Sequence, residues 1–351
     1  MNKIFTLLAL LLVVFVSQAQ ETKVTILSED SNSIVLHYHF GKYDLLEVEI
    51  DGLSTFIPQM EDATPIMEAR TPDLLKISKS LQLPQGAEVS FEVIAEEFED
   101  IEGISISPSK GNLYRDINPD KVPYEYGSTY TKDQWYPKSQ AEFQSEYQIR
   151  DVHGRSLWVY PFRALPTENT LRVYSELTIK ISFNSGKFIT SPSRIDRSFE
   201  DIYQEHFINY STAKYDPISE EGNMLIISHA DFLEAMSPFC NWKTQIGIEN
   251  ELVDVASIGD ADDIKQYVQD YYDTNDLTYL LLVGDHQQVP AHLISAGYSD
   301  NSYAYVAGED HYPDLFVGRF SAETLSNVET MVDRTIAYEL NPELDLSLIH
   351  I

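Results

Sequence analysis

Residues 278–286 read TYLLLVGDH, and this stretch decides the fold of the second half of the chain. An apolar run ended by a glycine is typical of a strand that is buried on both faces of a parallel sheet. A second run of this kind, MLIIS, lies at residues 224–228. Segments with helical spacing of apolar residues separate and follow these runs. The alternation of strands and helices predicts a parallel sheet covered by helices on both faces.

Capping residues and apolar spacing predict the other elements of this half. In chain order we expect a helix over Asp231–Ile246 ended by Gly247, a strand over Glu251–Val255, a helix capped by Asp260, a strand over Leu315–Val317 and a helix capped by Ser321.

Before residue 215, apolar and polar residues alternate with a period of two, which is typical of half-buried strands. The clearest run is NTLRVYSELTIKISF at residues 169–183, and similar runs occupy residues 34–40, 46–50 and 89–95. Stretches rich in proline, glycine and tyrosine separate them. Many short strands joined by turns predict an all-β, sandwich-like domain of antiparallel strands.

The amino terminus, MNKIFTLLALLLVVFVSQAQ, has the pattern of a cleavable secretion signal. A lysine precedes an apolar run over residues 5–16, and small residues at 17 and 19 predict cleavage between Ala19 and Gln20. A membrane anchor is the alternative, but a spanning helix needs about 20 apolar residues. We therefore expect an exported, extracellular protein that does not insert into a membrane.

Composition narrows the function classes. The 351 residues include 24 Lys plus Arg and 56 Asp plus Glu, which gives a formal net charge of -32. Such a chain repels nucleic acid and anionic membranes, and it can attract hard cations. A hydrophobic fraction of 43% supports packed cores, and the length suits about two domains. The single cysteine excludes an intrachain disulfide.

Two candidate groups have simpler structural explanations. Cys240 lies beside the apolar stripe of a predicted helix, and no neighbouring base activates it, which favours a buried structural role. His37 and His39 share one face of a strand and could bind a transition metal. No third ligand is evident in the sequence, which favours a plain surface pair.

A third candidate is acidic. Asp285 directly follows a buried strand, at the carboxyl edge where α/β proteins assemble their sites. In the sequence AGEDHYPD at residues 307–314, alternation in an extended loop places Asp310, Tyr312 and Asp314 on one side. Two carboxylates with carbonyls between them, and Asp285 nearby, would form an oxygen cage for calcium. A solvated acidic loop explains the same residues equally well.

These stretches closely resemble the gingipain family of secreted cysteine endopeptidases. The resemblance is densest in LTYLLLVGDHQQVP at residues 277–290 and in the segment 299–339, which contains AGEDHYPDLFVGRF, and it spans about residues 215–340. Earlier segments are similar to the gingipain propeptide domain: LPQGAEVSFEV at 83–93, WVYPFRALPTENTLRVYSELTIKISF at 158–183 and HFINY at 206–210.

The resemblance implies a caspase-like α/β catalytic domain that cleaves peptide bonds with a Cys nucleophile and a His partner. In the family both residues follow the GRF segment at 318–320 by a long distance, beyond this sequence. Cys240 and His286 do not match their positions. We therefore expect a carboxyl-terminally truncated precursor that contains no catalytic residue and is inactive. The ending LSLIHI, residues 346–351, departs from the family and resembles an artefactual tail.

The resemblance also implies a structural calcium ion, held through the positions Asp285, Ala307, Asp310, Tyr312 and Asp314. Ala307 and Tyr312 would contribute backbone oxygens. Ala307 and Asp314 differ in type from the family's residues, but a carbonyl ligand does not depend on its side chain. A small loop shift lets an aspartate replace a longer carboxylate, so we expect the site to persist.

The resulting organisation is a signal peptide at 1–19, a gingipain-type propeptide domain at 20–214 and the first part of the peptidase domain at 215–345. The family releases its propeptide at such a boundary, typically after a basic residue. We therefore predict processing between Lys214 and Tyr215, with Arg197 as the second choice.

The expected partners are protein or peptide substrates, the secretion machinery, and the chain's own propeptide as an inhibitor or chaperone. Two alternatives stay open at this point. One is the sortase-like member of this family, which processes substrates of a Bacteroidota secretion system. The other is a non-catalytic, calcium-stabilised surface or adhesion protein on the same scaffold.

Overall fold

The computed structural model describes residues 21–184, 197–211 and 222–342. The predicted signal cleavage site, the Lys214–Tyr215 bond and the ending at 346–351 lie outside these residues. No helix within the described part of the chain is long and apolar enough to cross a membrane.

The chain divides into two compact units. The first comprises the chain up to Ser78 together with Val89–Glu142 and Trp158–Ser182. The second comprises Lys79–Glu88, Phe143–Leu157 and the chain from Phe183 onwards. These compact units are a different division from the propeptide and peptidase segments expected from the sequence, because segments far apart in the sequence pack together. Parts of the predicted propeptide, including Phe143–Leu157, thus belong to the same compact unit as the α/β region.

The amino-terminal half is built from β-strands, as its period-two pattern predicts. One sheet has the order β1 (Lys23–Glu29), β2 (Ser33–His39), β11 (Thr170–Phe183) and β10 (Phe162–Leu165), with β7 (Val89–Glu102) also paired to β11. A second sheet has the order β5 (Thr64–Pro65), β6 (Leu75–Gln82), β9 (Val152–Val159) and β8 (Ala141–Ile149). A separate antiparallel pair joins β3 (Tyr43–Ile50) and β4 (Leu53–Met60).

The alternation of apolar and polar residues correctly predicts which side chains are buried in the centre of the first sheet, but it does not do so at β3. β2 and β11 pair antiparallel with Leu36 opposite Ile179, and both side chains are fully buried. On β3, by contrast, Leu46 is 47% exposed although it lies on the apolar face of the pattern. A period of two identifies a strand, but it does not show that a second layer covers its apolar face.

The carboxyl-terminal half is the predicted parallel α/β sheet. The strand order is β13 (Asn250–Asp254), β12 (Asn223–Ser228), β14 (Leu277–Val283) and β17 (Phe316–Phe320), and the neighbours pair parallel. The α-helices described in this half are α2 (Leu233–Gln245), α3 (Ala261–Asn275) and α4 (Leu325–Leu340), and a short antiparallel pair joins β15 (His292–Ile294) to β16 (Gly297–Ser299).

The helices cover both faces of this sheet, as predicted. On one face, Ile264 of α3 packs in the cluster that contains Leu280 and Leu282 of β14. On the other face, α2 and α4 pack in a second cluster with Leu281 and Val283 of the same strand. Successive side chains of β14 thus enter two different cores, which explains the continuous apolar run in the sequence.

The caps of α3 and α4 differ in how well the sequence predicts them. Asp260 caps α3 as predicted, in a reciprocal box with Asp263. The prediction of Ser321 as the cap of α4 is wrong, because Thr324 and Asn327 form the reciprocal box that starts this helix. The Ser321 hydroxyl instead donates to Asp285 Oδ1 over 3.1 Å.

A third apolar cluster joins predicted propeptide segments within the second unit. It contains residues from the ends of β8 and β9, from α1 (Arg197–His206) and from the turn after α1, with Tyr312 packed against it. The β8–β9 connection is the two-residue turn Arg150–Asp151. This cluster brings the turn close to the loop that precedes β17.

Candidate functional site

Strand pairing places the predicted calcium ligands at two different ends of the parallel sheet. β14 and β17 run parallel, with Tyr279 opposite Phe316 and Val283 opposite Phe320. Asp285 follows β14 at the carboxyl end, whereas Asp314 precedes β17 at the amino end. At about 3.3 Å per residue, the paired strands alone separate these ends by about 13 Å. A calcium ion binds its oxygens within about 2.6 Å, so one ion does not reach both.

The loop before β17 presents alternate residues inward, as the sequence pattern predicts. Asp310 and Tyr312 are half-buried and Asp314 is 0% exposed, whereas Glu309 and His311 face solvent. We call residues 306–314 the acidic loop. Four of the five predicted ligand positions lie in it, and Asp285 does not.

The carboxylates of the acidic loop accept hydrogen bonds from backbone N–H groups. Asp314 accepts from Arg150 N at 2.6 Å, Val306 N at 2.9 Å and Ala307 N at 2.7 Å. Burial raises the pKa of Asp314, these N–H bonds oppose that shift, and the charge of Asp310 adds to it. Asp314 therefore organises the loop as a buried acceptor.

Asp310 is engaged in the same way by the loop and by β8. Its carboxylate accepts from Tyr312 N at 2.8 Å and from Gln148 N at 2.7 Å. Asp310 thus accepts two backbone N–H bonds and Asp314 accepts three. Two ionised carboxylates together offer about eight acceptor positions, so several positions are not used by these bonds. Together with nearby carbonyls, the remaining positions suit a hard cation in type. Within the described residues, however, no three His, Cys, Asp or Glu side chains are grouped to hold a metal.

The principal residue that the sequence analysis missed is Arg150, in the β8–β9 turn. Its side chain is 2% exposed, and its guanidinium donates to Leu277 O at 2.7 Å, Asp314 O at 3.2 Å and Asp276 Oδ1 at 2.6 Å. The turn sequence RDVHG at 150–154 shows only a charged residue between two strands. Asp276 is 126 residues away, so no local pattern signals the pairing.

Asp285 and His286 lie at the opposite, carboxyl end of the sheet, in a segment that Arg319 holds. Arg319 binds both carboxylate oxygens of Asp300, at 2.8 and 2.7 Å, and donates to Gly284 O and Val289 O. The backbone N–H of His286 is the main cause that lowers the pKa of Asp285. One partly buried guanidinium thus fixes the loops that form this edge.

Cys240 and the His37–His39 pair lie in other places. Cys240 packs at the margin of the cluster formed by α2 and α4, and burial raises the pKa of its thiol, which disfavours the reactive thiolate. His37 and His39 both approach the Glu176 carboxylate, at 3.6 and 3.3 Å. Cross-strand pairing supplies this partner, which the sequence alone did not indicate.

Two family models match consecutive parts of the sequence. Propeptide_C25 matches residues 16–216, and Peptidase family C25 matches residues 218–348. The chain belongs to peptidase family C25. This finding confirms the gingipain-type resemblance of both halves that the sequence motifs indicate.

Two curated relatives match almost the whole chain but differ in sequence identity. Gingipain R2 of Porphyromonas gingivalis (strain ATCC BAA-308 / W83) is 33% identical over 335 residues, which cover 92% of this chain and 46% of the relative. Lys-gingipain HG66 of Porphyromonas gingivalis is 22% identical over 350 residues, which cover 92% of this chain and 20% of the relative. The chain therefore spans about half or less of the length of these relatives.

A solved structure titled "Complex of Porphyromonas gingivalis RgpB pro- and mature domains" matches with 28% identity and a TM-score of 0.48. The match covers 53% of this chain and 97% of that chain.

Proposed function

We propose that the chain is the pro segment and first peptidase segment of a secreted, gingipain-like cysteine endopeptidase. The observation that carries this proposal is the consecutive match of a propeptide family and a peptidase family, in that order. The parallel sheet of the second half, with loops held at its carboxyl edge, is the kind of scaffold on which α/β enzymes assemble their sites.

In such an enzyme a cysteine thiolate attacks the scissile carbonyl carbon, and a histidine transfers the proton to the leaving amine. The resemblance assigns both roles to residues beyond this sequence. The described residues would then contribute the scaffold, with Arg319 holding the edge loops in place. Residues 20–351 alone are accordingly expected to hydrolyse no peptide.

A thiol-directed peptidyl probe tests the chemistry on the full-length secreted protein. We expect it to label one cysteine encoded after residue 351, preceded in the gene by a histidine in a GHG-type turn. The control variant Cys240→Ala should be labelled as the wild type is. If no cysteine reacts, or only Cys240 does, the endopeptidase proposal is wrong and a binding protein on this scaffold becomes the better account.

We also propose removal of the signal before Gln20 and processing between Lys214 and Tyr215 during export. The second choice, Arg197, is the first residue of α1, and Phe199 two positions later is buried. Proteases cut extended backbone, so a helical start disfavours that bond. Amino-terminal sequencing of precursor and secreted forms should read Gln20 and Tyr215. A mature form that starts elsewhere would refute the assignment of the processing site.

Calcium is our proposed ligand of the acidic loop, through the carbonyls of Ala307 and Tyr312 and the carboxylates of Asp310 and Asp314. Asp285 is left out of this set because it lies at the other end of the sheet. Bound to the folded state alone, calcium at one hundred times its dissociation constant would stabilise it by about 2.7 kcal/mol. Magnesium should do less, because it demands octahedral geometry.

Thermal melting of residues 20–351 with calcium, magnesium or a chelator measures this stabilisation. Asp310→Ala should abolish the calcium response. Ala307→Val should keep it, since only the carbonyl of residue 307 would bind. If millimolar calcium does not change the melting temperature of the folded wild type, the calcium proposal is wrong.

A further inference from the structure

We propose that Arg150 is the residue that keeps the pro segment bound to the α/β domain after the linker between them is cut. The surface of the α/β domain that contacts Arg150 would recognise a tight turn that carries an arginine. This inference rests on the proposed function in one respect, because it presupposes cleavage near residue 214. It concerns how the pro segment and the α/β domain stay associated after cleavage, which neither family match describes.

The contacts of Arg150 cross the predicted cut. Arg150 lies before residue 214, and the acceptors Leu277 O, Asp314 O and Asp276 Oδ1 lie after it. The ring of Tyr272 also lies after the cut, 5.3 Å from the guanidinium. Cleavage of the linker leaves these contacts in place, because none of them depends on the chain connection.

The guanidinium fits this surface in charge and in shape. Its donors form a rigid planar fork, and the acceptors are two carbonyls and one carboxylate beside an aromatic ring. The guanidinium stays ionised at any physiological pH, so the attraction does not depend on a protonation step. Without Arg150, the buried Leu277 carbonyl and the buried Asp314 would lose a charged donor.

The backbone at Arg150 adopts a conformation that an arginine seldom takes. Its φ is +49°, in the left-handed region that glycine, asparagine and aspartate adopt more readily. An arginine that is both buried and in this conformation needs compensation from its surroundings. The three side-chain bonds, together with the backbone bond from Arg150 N to Asp314 Oδ1 at 2.6 Å, provide it.

Two contacts of residues next to Arg150 also position the turn, but they do not require a particular side chain. Gln148 N donates to Asp310 Oδ2, a bond that almost any residue at position 148 could make. Tyr147 stacks on Tyr312 with 4.3 Å between ring centroids, and other aromatic residues would also stack there. Among the described contacts of this hairpin tip with residues after the cut, the arginine is therefore the one that demands a particular side chain.

The experiment uses residues 20–351 with the segment 212–218 replaced by the recognition sequence of a site-specific protease. After cleavage in place, the dissociation constant of the two pieces is measured by dilution and size-exclusion chromatography. We expect the wild-type pieces to co-elute at micromolar concentration. Arg150→Met should weaken their association at least a hundredfold, and Arg150→Lys should have an intermediate effect.

Arg155→Met is the matched control. Arg155 lies on the same hairpin and pairs with Glu146 at 3.2 Å, so its ion pair does not cross the cut. Its loss should change the dissociation constant less than threefold. If Arg150→Met also stays within threefold of the wild type, the proposal is overturned.

A second measurement covers the case in which Arg150→Met does not fold. A synthetic peptide of residues 143–157 should speed the separation of the cut wild-type pieces, and the same peptide with Arg150→Met should not. Equal effects of the two peptides, or no effect of either, would also overturn the proposal. The engineered cut requires no peptidase activity, so failure here is distinct from failure of the proposed function.

Discussion

Replacing Asp314 by asparagine tests whether a buried carboxylate organises the acidic loop. Asp314 is fully buried and accepts three backbone N–H groups, from Arg150, Val306 and Ala307. An asparagine of the same shape has one carbonyl oxygen and one NH2 group. With the oxygen facing Val306 and Ala307, the NH2 group faces the N–H of Arg150, and two donors oppose each other.

The magnitude follows from these bonds. One hydrogen bond to a charged acceptor is lost, at about 1.5–3 kcal/mol, and a buried donor is left without an acceptor, at about 1–3 kcal/mol. Part of this is offset, since burial raises the pKa of Asp314 and a neutral amide avoids that desolvation. We therefore expect Asp314→Asn to destabilise the second unit by about 2–4 kcal/mol.

Native-state hydrogen exchange measures the loss where it occurs. Amides of β14, which lies in the centre of the sheet, report the global opening of the second unit, and the Arg150 amide reports the local change. Glu309→Gln, at an exposed neighbour in the same loop, is the control and should change stability by less than about 0.5 kcal/mol. A loss below about 1 kcal/mol for Asp314→Asn, or an equal loss in the control, would refute the reasoning.

Three further predictions concern the second unit. In Gly154→Ala, the new Cβ would overlap the Phe207 ring, so urea unfolding should show a loss of about 1–3 kcal/mol. Asp260→Ala removes the capping box of α3 and should cost about 1 kcal/mol in the same assay, with Asp262→Ala as the milder comparison. Burial lowers the pKa of His153 below its usual 6.5, so its neutral form is favoured in the folded state. The melting temperature should therefore fall as the pH drops below 6.5, and His153→Gln should flatten this dependence; parallel wild-type and variant profiles would contradict the assignment.

Local sequence patterns predicted the four strands of the parallel sheet and the three α-helices that pack on it. The run TYLLLV forms β14, and its side chains enter cores on both faces, as a strand between two helical layers must. Asp260 caps α3 because the capping bonds reach only three residues along the chain. The Ser321 prediction failed over an equally short range, because Thr324 offered a complete reciprocal box three residues later.

In the acidic loop, the sequence pattern predicts which side chains face inward but not where Asp285 lies. Alternation in an extended segment correctly predicted that Asp310, Tyr312 and Asp314 share a side. The same sequence could not show that Asp285 lies at the other end of the sheet, because that separation depends on which strands pair and in which direction.

By itself, the sequence determined an α/β sheet after a strand-rich half, the family of the chain and the inward side of the acidic loop. These features depend on residue periodicity and on motifs within single segments. Only the tertiary structure decided that Arg150 binds beside Asp314, 164 residues later, and that the tip of a propeptide hairpin belongs to the α/β unit. The physical reason is that burial of a charged side chain depends on acceptors that distant segments bring to it, and no local pattern encodes that packing.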